Sequence, residues 1–236
     1  MGRRRIGLIC AGWLVTLLSA QTQPPEPTGT LEGRVTYSGP VPPAIAVAES
    51  GGEQKVLHLD RQGGLRYAVI ALPDTRPAAG KPSGEAMIDQ RGFVFVPQVL
   101  AVRAGQLVRF TNSDPANHNV RSRDPNPANA FNLATADSRA VETHRFAATT
   151  LDRPVVLSCD IHPWMAAWVY AFDHDVFAVT GADGTYRIDG LPAGRHRVSV
   201  RQPAGRLARE LSAEVLARRT TRLDVQFSAA DVGMQR

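Results

Sequence analysis

Short runs rich in Val, Ile, Phe, Tyr and Thr, separated by Gly, Pro, Asp and Asn, recur through the chain, and no long stretch keeps a clear helical period. This spacing limits the fold more than any other feature. β-Branched and aromatic residues in short bounded runs suit strands, and a long series of such strands closes up as a sandwich. The runs are LEGRVTYSG (31–39), LRYAVIALP (65–73), GFVFVPQVLAV (92–102), GQLVRFTN (105–112) and RPVVLSC (153–159). WVYAF (168–172), GTYRIDG (184–190), RHRVSV (195–200) and TRLDVQF (221–227) follow. ALPDTRPAAGKPSGEAM (71–87) and RDPNPANAFNLATADSRA (123–140) read as loop by composition. LARELSAEVLARR (207–219) is ambiguous, since Leu207, Leu211, Val215 and Leu216 share a helical face but the neighbours are strands. The expected class is all-β. A break near Asp173 separates a first sandwich over 28–172 from a small β module over 173–228, with a tail over 229–236. The module is near the lower size limit for an independent domain. Sequence leaves open which of the two GTLEGRVTYSG completes.

The chain opens MGRRRIGLICAGWLVTLLSAQTQPPEP. Arg3, Arg4 and Arg5 form a basic start, and residues 6–20 form an apolar stretch too short to span a bilayer comfortably. Ser19 and Ala20 precede a polar, Pro-rich run. Residues 1–22 therefore read as a cleaved signal peptide, and the expected location is a periplasm; contact with a membrane is expected only if the signal stays uncleaved. Without the three arginines the formal charge falls from +5 to about +2. The remaining arginines, such as those at 195, 197 and 201, read as the solvated face of strands. Few aromatics lie among them to stack on bases, so no nucleic-acid partner is expected.

Export also decides what the cysteines can do. Of the two, Cys10 lies inside the apolar signal stretch, which leaves Cys159 alone in the mature chain. An unpaired cysteine in an oxidising compartment points to an intermolecular bond, a reactive thiol or a metal ligand. It stands in CDIHPWM (159–165), with His162 and Met165 each three residues further on. Pro163 stops the chain from resuming a strand at once, so a tight loop can turn the three side chains inward. Thiolate and thioether suit a soft metal such as copper, and zinc sites make little use of a thioether. A trigonal copper site with a weak axial methionine needs one more imidazole. Among His58, His118, His144, His174 and His196, the context singles out His118, where a strand begins after a short Asn/Ser/Asp/Pro loop. The plainer alternative is a buried free cysteine beside a capping histidine, with Trp164 and Met165 as core.

The pairing of NSDPANHNV (112–120) with CDIHPWM resembles the cupredoxins, the blue copper electron carriers, and the Cys-x-x-His-x-x-Met spacing is similar to that of amicyanin. The resemblance implies a Greek-key cupredoxin β-sandwich with one copper per chain, cycling between Cu(I) and Cu(II). His118, Cys159 and His162 would be the equatorial ligands and Met165 the axial one. Asn119 would tie the two ligand loops together beside the thiolate. The stretch 88–120 also resembles exported cupredoxin-like proteins of a methylamine-utilisation or carboxypeptidase-regulatory-like branch, whose N-terminal cysteines this chain lacks at Gly92 and Phe93. FAVTGADGTYRIDGLPAGRHRVSVRQPAG (177–205) resembles the transthyretin-like or carboxypeptidase-regulatory β module, with a tight turn at Asp183-Gly184 and alternation of Tyr186, Ile188, Val198 and Val200. No zinc-hydrolase motif accompanies it.

The expectation from these residues is an electron carrier and not an enzyme. A redox partner would touch it transiently near His162, Pro163 and Trp164, with Pro115 and Ala116 completing an apolar patch. Trp164 could equally lock the loop as core. Asp160 would hydrogen-bond within the turn or set the partner's charge. The alternatives are periplasmic copper storage or delivery, and a β-rich binding module with a vestigial metal site. A copper enzyme would need a second copper with its own histidines, and the other four show no paired spacing.

Overall fold

The computed structural model describes residues 27–75, 80–82 and 84–232. The signal peptide expected over 1–22 and the last four residues of the expected tail lie outside them. In chain order the strands are β1 (Thr28–Ser38), β2 (Ile45–Val47), β3 (Gly52–Gln54), β4 (His58–Leu59), β5 (Leu65–Arg66), β6 (Val69–Ala71) and β7 (Glu85–Gln90). Next come β8 (Phe95–Val96), β9 (Val99–Arg103), β10 (Leu107–Asn112), β11 (His118–Ser122), β12 (Phe131–Thr135), β13 (Val141–Arg145) and β14 (Val155–Ser158). The last are β15 (Ala166–Phe172), β16 (Phe177–Val179), β17 (Thr185–Pro192), β18 (Gly194–Gln202), β19 (Leu207–Val215), β20 (Thr220–Arg222) and β21 (Val225–Ser228). The class is all-β, as the strand-and-turn spacing of the sequence requires. No helix among the described residues is long and apolar enough to cross a membrane.

Two sandwiches result. In the first, the sheet β13-β10-β7-β8 packs on the sheet β12-β11-β14-β15-β9. Alternate residues of both, including Ile88, Phe110, Val120, Leu157 and Val169, meet in one core. Each such side chain, fully buried, contributes about 1.5–3 kcal/mol. The pairs β7–β10 and β9–β15 are parallel, so the chain crosses between the sheets rather than meandering. In the second sandwich, β1 carries β17, β20 and β21, and its sheet packs on β16-β6-β18-β19. Leu31, Val35, Ile70, Ile188, Val200 and Phe227 fill the space between. The Asp183-Gly184 turn opens β17. Gly184 has φ +80°, and a Cβ there would lie 2.3 Å from the carbonyl oxygen of Val35, so no other residue fits.

A third apolar layer joins the sandwiches. Val69 and Ala71 of β6 pack against Tyr170 and Phe172 of β15, with Tyr67 and Val99 beside them. The opposite faces of the same two strands point into their own cores, through Ile70 on one side and Ala167, Val169 and Ala171 on the other. Burial on both faces explains why AVIAL (68–72) and AAWVYAF (166–172) show almost no polar alternation.

Three sequence expectations differ from the structure. The span 28–172 does not form one sandwich. β1 and β6 hydrogen-bond with strands from 177 onward, and the first sandwich begins at β7. Strand partnership is a long-range choice that a local pattern does not encode. The stretch 123–140 contains β12, whose residues pair with β11 throughout. The ambiguous stretch 207–219 is strand over β19, because Leu207, Ala213 and Val215 are buried at even spacing and the whole length pairs with β18.

Candidate metal centre

His118, Cys159, His162 and Met165 lie at one end of the first sandwich. β11 and β14 are antiparallel neighbours through Arg121↔Ser158, so the first residue of β11 and the residue just past β14 emerge at the same end. The loop before His118 is held by Asn112, buried at the end of β10. Its side-chain amide donates to the carbonyls of Ala116 and Thr135, and its oxygen accepts the Asp114 amide. After Cys159 the chain turns tightly: the Met165 amide donates to the His162 carbonyl at 2.9 Å before β15 starts.

The three donors face one another. Nδ1 of His118 lies 2.9 Å from Nδ1 of His162, and Sγ of Cys159 lies 4.0 Å and 3.7 Å from the two nitrogens. A circle through three atoms so spaced has a radius of about 2.1 Å. First-row metals sit about 2.0–2.1 Å from imidazole nitrogen and roughly 2.3 Å from thiolate sulfur, so the arrangement fits a single ion. His118 and Cys159 are 2% exposed and His162 8%, so an ion there would be screened from bulk water. This is the one group of three potential His, Cys, Asp or Glu ligands among the described residues. Met165 is fully buried in the same apolar cluster as Cys159.

The surrounding contacts decide which lone pairs are free. Nε2 of His118 lies 3.0 Å from the Asp114 carboxylate. A carboxylate only accepts, so Nε2 carries the proton and Nδ1 presents a lone pair to the centre. Burial pushes the His118 imidazole below its usual pKa, with the Asp114 hydrogen bond opposing and the charge of His162 adding to the effect. A neutral ring is the form that ligates metal. The same Asp114 carboxylate accepts the amides of Gly92 at 2.6 Å and Phe93 at 2.9 Å. Phe93 has φ +61°, a left-handed conformation that costs a bulky residue about 1–3 kcal/mol and that these bonds hold in place. Its ring meets His118 and His162 edge to face at 5.5 and 5.1 Å between centroids, and its carbonyl accepts the Trp164 indole N–H at 3.0 Å.

Asn119 spans the two ligand segments. Its oxygen accepts from the Cys159 thiol at 3.3 Å and from the Asp160 amide at 2.8 Å. Its amide nitrogen donates to Asn132 on β12 and to the Asp160 carboxylate. Asp160 also receives Arg121 at 2.9 Å and Arg123 at 3.3 Å, and the Arg121 hydrogen bond leads in holding its carboxyl below the usual range. The remaining histidines sit elsewhere in other contacts: His144 with the Ala128 carbonyl, His174 with the Val176 amide, His196 with the Pro192 carbonyl, and His58 edge-on to Tyr67. Sequence reasoning missed Asp114 and the packing role of Phe93. Asp114 had a signal, since a carboxylate four residues before a ligand histidine is a natural orienting partner. Phe93 had none, because only the fold brings it to the site.

Ile161 and Pro163, the chain neighbours of the nearly buried His162, are exposed, as is Pro115 in the loop before His118, while Ala116 and Trp164 are half-buried. Trp164 thus packs on the core and borders the surface at once.

No protein-family model matches this chain, and no curated protein matches it. Solved structures do. A purple cupredoxin from Nitrosopumilus maritimus is 24% identical over 36% of this chain and 98% of its own, with a TM-score of 0.28. Amicyanin from Paracoccus versutus is 17% identical over 43% of this chain and 96% of its own, with a TM-score of 0.31. A copper-containing nitrite reductase from Thermus scotoductus SA-01 is 20% identical over 42% of this chain, with a TM-score of 0.33, and the chain spans only 24% of that enzyme. Cupredoxins are therefore among the structural neighbours of this chain, each matched over less than half of it.

Proposed function

We propose that this chain is an exported, periplasmic type 1 (blue) copper protein that carries single electrons between redox partners. His118, Cys159 and His162 would be the equatorial ligands and Met165 the axial one. The observation that carries this reading is the buried triangle of two imidazole nitrogens and one sulfur, with sides of 2.9, 3.7 and 4.0 Å. Copper held there would supply a Cu(I)/Cu(II) couple, for which this mixed nitrogen and sulfur donor set is suited.

The chain's own residues keep the donors still. Asp114 fixes the ring of His118, Asn119 and Asp160 hold the Cys159 turn against β11, and Phe93 and Trp164 pack beside His162. Donors fixed in this way have little to rearrange when charge changes. Ile161 and Pro163, exposed on either side of His162 in the chain, offer an apolar surface that would suit transient contact with a redox partner, and Pro115 of the loop before His118 is exposed as well.

An absorption spectrum of the copper-loaded protein beside Cys159→Ser tests the reading. An intense band in the visible from thiolate-to-copper charge transfer, absent from the variant, is expected. Copper binding without colour would favour storage or delivery, and failure to bind copper would overturn the proposal.

A further inference from the structure

A cleft of about 580 Å³ opens between the two sandwiches, and none of the four metal-ligand candidates lines it. Its walls come from both. Val156 and Ser158 of β14 and Trp168 of β15 belong to the first sandwich, and Pro203 and Arg206 come from the β18–β19 turn of the second. Clefts of this size at domain junctions are where small molecules bind most often. The apolar part of the wall is Val156, 51% exposed, beside its cross-strand partner Trp168.

The charged part is unbalanced. Arg123, Arg153 and Arg206 line the cleft with Asp124 and Asp152. Asp152 pairs with Arg201 at 3.0 Å, Arg123 pairs with Asp160 at 3.3 Å, and Asp124 accepts the Asn126 amide at 2.8 Å, which leaves Arg153 and Arg206 against one carboxylate. Arg153 and Arg206 have no ion pair among the described residues. Arg206 is held there against its backbone preference. Its φ is +53°, a conformation that glycine adopts freely and arginine does not. The turn is pinned by the Gly205 amide donating to the buried Gln202 side chain at 2.6 Å and by the Arg206 amide donating to the Pro203 carbonyl. An arginine at positive φ on a pinned turn and a second arginine without an ion pair thus line one cleft together with Val156 and Trp168.

We propose that this cleft binds a small organic anion with a flat apolar body, of the aromatic carboxylate class. The ring would lie against Trp168 and Val156, and the carboxylate would take charge-assisted hydrogen bonds from Arg153 and Arg206. The inference is independent of the metal reading, since none of the cleft residues is a candidate ligand.

Calorimetric titration of the purified chain with phthalate (benzene-1,2-dicarboxylate) tests it. Saturable binding of one phthalate per chain is expected. Benzamide, uncharged, and inorganic phosphate, without an apolar body, should each bind at least about tenfold more weakly. Arg206→Gly should keep or raise the melting temperature, because it relieves the backbone, yet weaken phthalate about tenfold; Arg153→Gln should do likewise without the gain in stability. Cys159→Ser should bind phthalate unchanged, which separates this test from the metal one. Lack of saturation, equal affinity for inorganic phosphate, or unaltered affinity in both arginine variants would each overturn the assignment.

Discussion

Asp114 lies 3.0 Å from Nε2 of His118 and holds the far side of the ring whose Nδ1 faces His162 and Cys159. The carboxylate does two jobs at once, because it also receives the amides of Gly92 and Phe93. Asp114→Ala removes both. Metal affinity should fall about 10–100-fold, the usual effect of losing an orienting partner behind a histidine. A copper titration against a competing chelator reads this out. Affinity within twofold of the parent would mean that the ring is held by packing alone.

Phe93 covers both imidazoles from one side. Phe93→Ala keeps the left-handed backbone and its strain but removes the ring, so it should cost about 3 kcal/mol in urea unfolding. Phe93→Asn loses the same packing but tolerates the backbone better, and should be less damaging than its size suggests. The order of the two variants is the check: if alanine is the milder change, the positive φ is not a source of strain.

Asp160 places a negative charge next to Cys159 and is itself flanked by Arg121 and Arg123. The pairs reach solvent, which screens them, so Asp160→Asn should leave stability close to that of the parent. In the copper-loaded protein it should raise the reduction potential, because the lost negative charge favoured the more positive metal state. Voltammetry of the two proteins at the same ionic strength measures the shift, and a fall in potential would contradict the sign.

Tyr170 is buried between the sandwiches, and its hydroxyl has no hydrogen-bond partner among the described residues. Burial pushes the phenol well above its usual pKa, with Arg201 opposing and Asp152 adding. The unfolded chain releases this proton near pH 10 while the folded chain keeps it. Stability is therefore full below pH 10 and declines above it, by about 1.4 kcal/mol per pH unit. Tyr170→Phe should gain about 1 kcal/mol at pH 8, since an unsatisfied hydroxyl is removed, and should flatten the alkaline decline. Tyr186, also raised by burial, leaves part of that slope. Urea unfolding at pH 8 and 11 compares the two proteins.

What the sequence revealed follows from how local each feature is. CDIHPWM could be read because three donor types at fixed spacing lie within one turn, and His118 could be added because a strand-starting histidine after an Asn/Ser/Asp/Pro loop is itself a local pattern. Asp114 was within reach on the same grounds. Phe93 was not, since twenty-five residues separate it from His118 and only the fold of β7 and β8 brings them together. Many strands were legible individually from composition, down to the Asp183-Gly184 turn, although the start of β7 and all of β12 fell in stretches that read as loop. The partners of β1 and β6 were not, because pairing across more than a hundred residues leaves no mark on a short window. β12 escaped notice because Asn132 and Ala134, outward on an exposed strand, resemble loop composition.

The contact between β6 and β15 has a consequence for how the chain comes into being. The first sandwich is an insertion, residues 85–172, seated inside a second whose strands lie on both sides of it in sequence. As the chain emerges N-terminus first, everything needed around Cys159 is out before β16, so that body can close first. β1 and β6 must meanwhile wait, with apolar residues uncovered, until β17 to β21 arrive. The already folded β15 offers β6 a surface on which to wait, through Tyr170 and Phe172, so the earlier body serves as a template for the later one.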